Sequence, residues 1–174
     1  MNHLKLNLSI GFPYYVGVVE NKGVIEIPKL FSDEWLDLYK DALNANEAYE
    51  KAASWWTGDF IFIVKASGNL DHDVMSYIGL THGKCTGVKS IAGEDEYEIV
   101  KPGESASGDK LAVEYTYEAD YDTWVEILKG ELDPIRGLLS GKARIVGEMA
   151  KVLKATDAAK ELVRTAGMVD TEYF

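Results

Sequence analysis

The chain is short of the residues from which staples, metal sites and membrane spans are made. Cys85 is the single cysteine among 174 residues, so no internal disulfide can form, and a reducing compartment, by default the cytoplasm, is the expectation. No window approaches the roughly 18 to 20 apolar residues needed to cross a bilayer, which predicts a soluble protein. The first ten residues alternate Leu4, Leu6, Leu8 and Ile10 with polar neighbours. They lack the continuous apolar segment of a secretory signal and read instead as a strand.

Positive charge is also scarce. Eighteen Lys and Arg stand against 29 Asp and Glu, a formal net charge of -11, which repels phosphate backbones and argues against a nucleic-acid partner. The deficit is uneven: Glu94, Asp95, Glu96 and Glu98 form an acidic run, whereas Lys142, Arg144, Lys151, Lys154, Lys160 and Arg164 crowd the last third. That end is compatible with a transient contact at an anionic membrane surface, although solvated helix faces account for the same charges.

Signatures of catalysis are missing as well. There is no Gly-x-Ser-x-Gly, no His-Glu-x-x-His, no phosphate-cradling loop and no dinucleotide fingerprint. Asp71, His72, Asp73, His82 and Cys85 carry the only ligand-like chemistry, and their spacing matches no zinc motif. No metal and no cofactor are expected. Glu94 and Glu96 fall in a polar stretch where water holds carboxylates near ordinary behaviour.

What is present is a pattern of elements. A length of 174 residues suits one domain with a self-sufficient core. After the first strand, Val16 to Val19 and Val24 to Ile27 flank Asn21-Lys22-Gly23 as a hairpin, so residues 1–30 form an N-terminal extension to a domain over 31–174. Ser32 caps a helix whose first turn carries Asp33 and Glu34, with Phe31 able to staple onto Leu36. Trp35, Tyr39, Ala42, Tyr49, Ala53 and Trp56 share one face, which predicts a single long helix ending at Gly58.

Phe60 to Val64 is a short continuous apolar run of β-formers, hence a strand covered on both sides. Further strands are expected near Met75 to Leu80 and Tyr97 to Val100. Leu111, Val113, Tyr115 and Tyr117 alternate with Ala112, Glu114, Thr116 and Glu118 as a strand with one face toward water. The Gly- and Ser-rich stretch Lys101 to Lys110 is a loop. Two closing helices contain Met149, Val152 and Leu153, then Ala159, Leu162, Val163 and Ala166, the second capped by Thr156 and ended by Gly167. The fold class is α+β: a largely antiparallel or mixed sheet of about five or more strands with helices packed over one face.

Residues 124–147 condense this grammar. Trp124, Ile127 and Leu128 form an apolar helical patch that stops at Gly130. Asp133-Pro134 restarts a helix, the aspartate accepting from free amides while proline sits where no donor is missed. Gly141 ends that helix, and Lys142 to Val146 is a short strand closing at Gly147.

The ordered set Gly130, Asp133, Pro134, Gly141, Lys142 and Gly147 resembles the C-terminal signature of the sterol carrier protein 2 family, and the similarity covers roughly residues 33 to 165. The resemblance implies a non-catalytic module with an apolar tunnel for fatty acids, fatty acyl-coenzyme A or sterol-like molecules. Trp124, Ile127, Leu128, Leu132, Ile135, Leu138, Leu139, Met149 and Leu153 are then the candidate lipid-binding side chains, although ordinary core packing explains each of them equally. Met149 leans toward a cavity because its thioether adapts to varied partners.

Two alternatives stay open. One is an enzyme acting on a small hydrophobic substrate in the same cavity with His72 or His82 as base. The other is an interaction module whose N-terminal strands pair across a homodimer. Trp55-Trp56 and Tyr14-Tyr15 could face a ring-bearing ligand, a membrane or a partner, or simply seal the core.

Overall fold

A computed structural model describes residues 26–174. The expected first strand, most of the hairpin and Tyr14-Tyr15 lie outside those residues.

Helix α1 spans Asp33–Ala45, and Ser32 caps it by accepting from the Trp35 amide. Phe31 and Leu36 are both buried in the same apolar cluster. Phe31 adopts a left-handed φ of 60° and its ring stands edge-on to Trp35 and Trp124. Helix α2 covers Glu47–Ala52. The single long helix predicted over this region is therefore two, divided at Asn46, whose side chain accepts from the Ala48 and Tyr49 amides. Periodicity missed the break because the apolar face continues across it: Trp35, Tyr39, Tyr49, Ala53 and Trp56 are all buried. The helical path ends at Ala52 rather than at Gly58, which turns the chain toward the sheet at φ 140°.

Seven strands follow: β1 Phe60–Lys65, β2 Val74–Thr81, β3 Lys84–Ile91, β4 Tyr97–Ile99, β5 Leu111–Val113, β6 Tyr115–Asp120 and β7 Ala143–Val146. The main sheet runs β3-β2-β1-β6-β7. Its pairings are antiparallel except for β1 with β6, which run parallel. Strands β4 and β5 form a separate parallel pair, joined by the loop that includes residues 101–110.

Strand β3 is an addition to the expectation. It follows β2 through a two-residue turn, His82-Gly83, with φ values of 49° and 76°, the mirror-image turn that suits the twist of a hairpin. Histidine at its first position carries none of the usual Asn or Asp signal. The strand expected from Leu111 to Tyr117 is divided at Glu114 between two sheets. The face expected to meet water does so only in part: Ala112, Glu114 and Glu118 are half-buried, and Thr116 is buried beside Ile61, where a second apolar cluster of Ile61, Ile63, Ile91 and Val113 forms.

Helices α3 Tyr121–Leu128, α4 Pro134–Leu139, α5 Met149–Lys154 and α6 Thr156–Ala166 complete the chain. They contribute, with α1 and α2, to the large apolar cluster on the opposite face of the sheet. Asp120 caps α3, and Asp133 caps α4 by accepting from Ile135 and Arg136. Thr156 does not cap α6. It is the first helical residue, and its hydroxyl donates back to the Leu153 carbonyl at 3.1 Å. Among the described residues, no helix is long and apolar enough to cross a membrane.

The two ends of the described chain close on each other. The Leu30 amide donates to the Glu172 carbonyl and the Glu172 amide to the Pro28 carbonyl, both at 2.9 Å. The Asn44 side chain joins α1 to β3 by bonding both the amide and the carbonyl of Cys85.

Candidate lipid-binding cavity

Between the sheet and the helices lies a cavity of about 90 Å³. Its floor is built from alternate residues of three strands: Phe60 and Phe62 of β1, Ile78 and Leu80 of β2, and Tyr117 of β6. Large rings close one side, namely Phe31, Trp35, Tyr39, Tyr49 and Trp56, while Trp124, Ile127 and Leu128 of α3 with Pro134 and Ile135 of α4 close another. Opposite them stand Val152 of α5 and the Ala155 to Ala166 stretch, where Ala155, Ala158, Ala159 and Ala166 present single methyl groups. Small side chains facing large rings leave the space unfilled.

Of the nine side chains named from the sequence, Trp124, Ile127, Leu128 and Ile135 line this cavity. Leu138 is buried and Leu132 half-buried, both outside the wall. Leu139, Met149 and Leu153 lie at the surface, 71%, 41% and 37% exposed. The sequence reasoning overlooked the alanines of α6 as cavity formers, because a search for large apolar residues has no signal for a side chain whose contribution is its smallness. It also passed over the floor, whose residues looked like ordinary strand core.

The wall offers a guest almost nothing but carbon. Each indole of the lining is tied elsewhere: Trp35 donates to Thr171 Oγ1 at 2.7 Å, Trp56 to the Gly58 carbonyl and Trp124 to the Ile63 carbonyl, both at 2.9 Å. The phenols of Tyr39 and Tyr117 donate to the carbonyls of Leu162 and Pro134. Burial pushes the pKa values of Tyr39, Tyr49 and Tyr117 upward, because a phenolate there would lose its water. The lining includes no Lys, Arg, His, Asp or Glu.

The other chemistry-bearing residues lie apart from the cavity. His72 is exposed beside Asp71, with 2.6 Å between Nδ1 and Oδ1, and His82 is exposed with Nδ1 2.9 Å from the Ser54 carbonyl. Neither lines the wall. Among the described residues, no three His, Cys, Asp or Glu side chains converge as a metal site. Cys85 is buried, and desolvation pushes its thiol up to about 11.

Comparison with other proteins agrees with this architecture. No family model matches the chain, and no curated protein matches it. Among solved structures, the crystal structure of a sterol carrier protein 2 is 32% identical, aligning over 81% of this chain and 99% of that one with a TM-score of 0.66. A solution structure from Thermus thermophilus, of a conserved hypothetical protein with a suggested sterol-carrier identity, is 31% identical over 83% of this chain and 92% of that one, with a TM-score of 0.67. The sheet with its helical cover, the ordered glycines and Asp-Pro of residues 130–147, and identity at this level over most of both chains place this protein in the sterol carrier protein 2 family.

Proposed function

We propose that the protein binds and carries long hydrophobic molecules of the fatty acid, fatty acyl-coenzyme A or sterol-like classes, with no covalent step. The observation that carries this reading is the apolar cavity between sheet and helices, whose three indoles and the phenols of Tyr39 and Tyr117 are already engaged with the protein. Burying an alkyl chain gains roughly 0.8 kcal/mol per methylene. About twelve carbons therefore offer around 10 kcal/mol, against a loss of motion of roughly 4 to 15 kcal/mol, which brings micromolar affinity within reach of apolar walls alone. The surface positions of His72 and His82 leave the enzyme reading without a base beside such a guest.

At about 90 Å³ the cavity is smaller than the roughly 150 Å³ that accommodates benzene in an engineered core, so a long guest must widen it. The wall that yields is α5 with the start of α6. Neither helix has a side-chain cap. The far half of α6 is held firmly by contrast: Tyr39 donates to Leu162, and the Asn46 amide donates to Glu161 and Thr165. Helix α5 also forms the rim we assign to approach at a lipid surface, since Val152 lines the cavity while Met149 and Leu153 on the adjoining face are exposed.

Displacement of a dansyl-labelled fatty acid by a panel of fatty acids, acyl-coenzyme A and sterols tests the reading. Saturable binding is expected, and Ala158→Phe, which fills the space from α6, should weaken it at least tenfold while the melting temperature holds or rises. Absence of saturable uptake across the panel would remove the carrier proposal. Undiminished uptake by the filled variant would move the site elsewhere.

A further inference from the structure

Ser76 is wholly buried, and its hydroxyl is the one buried side-chain polar atom among the described residues with no hydrogen-bond partner. A buried hydroxyl left unpaired is costly, so native structures rarely keep one without a use. Thr165 shows the contrast. Equally buried, it donates to the Glu161 carbonyl at 2.7 Å and accepts from the Asn46 amide at 2.8 Å.

The position of Ser76 relates it to the cavity. It projects from the same face of β2 as Ile78, two residues on, which forms part of the cavity floor. Across the β1 pairing it stands opposite Phe62, another floor residue, and across the β3 pairing opposite Ser90. Ser90 Oγ lies 3.4 Å from the Phe31 carbonyl, and the rings of Phe31 and Phe62 both pack edge-on against Trp124. The hydroxyl therefore sits in the floor layer just beyond the present void, next to residues that bound it. A guest admitted by the yielding α5 wall and long enough to reach past Phe31 and Phe62 would bring its end to Ser76.

The chemistry of that end follows from what surrounds it. With no cationic side chain in the lining, an ionised carboxylate buried here would have one hydroxyl in exchange for its hydration, which is far too little. A neutral hydroxyl or carbonyl loses less on burial and gains a neutral hydrogen bond.

Resting on the carrier reading above, we propose that Ser76 Oγ is the polar anchor of the cavity, selecting long-chain guests that carry a neutral hydroxyl or carbonyl at the buried end. An ionised headgroup is left at the mouth. The guest enters with its neutral polar end first, and the unpaired hydroxyl of the free protein gains a partner when the cavity fills.

The test compares cetyl alcohol, hexadecane and palmitate as competitors of a dansyl-labelled fatty acid, in the wild type and in Ser76→Ala. The anchor predicts that the wild type prefers cetyl alcohol to hexadecane, and that the variant loses about fivefold to tenfold in affinity for the alcohol while hexadecane and palmitate are unchanged. The variant should also melt no lower than the wild type, since it removes an unpaired buried group. Binding of all three competitors with the same preference in both proteins would overturn the anchor and leave the carrier reading standing, as would an equal loss for all three. No binding of any competitor to the wild type would take down both.

Discussion

Tyr39, Tyr49 and Tyr117 turn their rings toward the cavity while burial keeps their phenols protonated. An unfolded tyrosine ionises near pH 10. Because the folded values are raised, the stability these residues contribute is fully present below about pH 10 and is lost as the pH rises further. Cys85 acts in the same direction, over the interval between its ordinary 9.0 and about 11. Ultraviolet titration of the ten tyrosines should thus show a group that ionises only as the chain unfolds, and urea stability should fall from about pH 9 upward. Smooth titration of every phenol near pH 10 with the fold intact would contradict this account. These shifts could not be foreseen from residue type. A tyrosine alternating along a strand looks the same whether its hydroxyl ends in water or, as in Tyr117, at the carbonyl of Pro134.

At the scale of elements, the glycines of residues 130–147 have two different reasons to be there. Gly130 and Gly141 both have φ 75° with open space where a side chain would stand, so each marks only a left-handed helix end. Gly147 has φ 123°, and a Cβ there would lie 2.3 Å from the Tyr115 ring and 2.7 Å from the Glu114 carbonyl. Its absence of side chain lets β7 turn into α5 against β6. Gly141→Ala should cost about 1 to 2 kcal/mol, the ordinary left-handed penalty, and Gly147→Ala at least about 3 kcal/mol, since rigid backbone as well as a ring must move. Urea denaturation of the two variants decides the matter, and equal losses would refute the distinction. The order of these elements was legible because boundaries carry their own local chemistry: Ser32 and Asp133 both cap as side chains of their type do. Strand β3 was not legible, because its hairpin turns on His82-Gly83 and its own residues alternate weakly. The division at Asn46 was hidden by an apolar face that continues through it.

At the scale of the whole molecule, charge is segregated. Between Pro134 and Ala166 seven basic side chains stand against three acidic ones, in a chain whose formal charge is -11. Among the described residues neither Lys151 nor Lys154 pairs with a carboxylate; Lys151 lies 4.7 Å over the Trp56 ring instead. With Met149 and Leu153 exposed on α5, the proposed rim joins apolar groups to cations, the combination that suits an anionic lipid surface. Co-sedimentation with vesicles containing phosphatidylserine should exceed that with phosphatidylcholine alone. It should fade as ionic strength rises, and Leu153→Ser combined with Lys154→Glu should abolish it. Equal retention on both vesicle types, or none, would reject this face. Local residue chemistry sufficed for the class of the fold, the capped starts of α1 and α4, and the family, because each rests on neighbouring side chains or on an ordered set of residues. Tertiary structure alone decided where the hollow lies and what surrounds it. A cavity is the mismatch between side chains distant in sequence, here the alanines of α6 against the rings of α1 and the sheet, and no single segment of the chain records it.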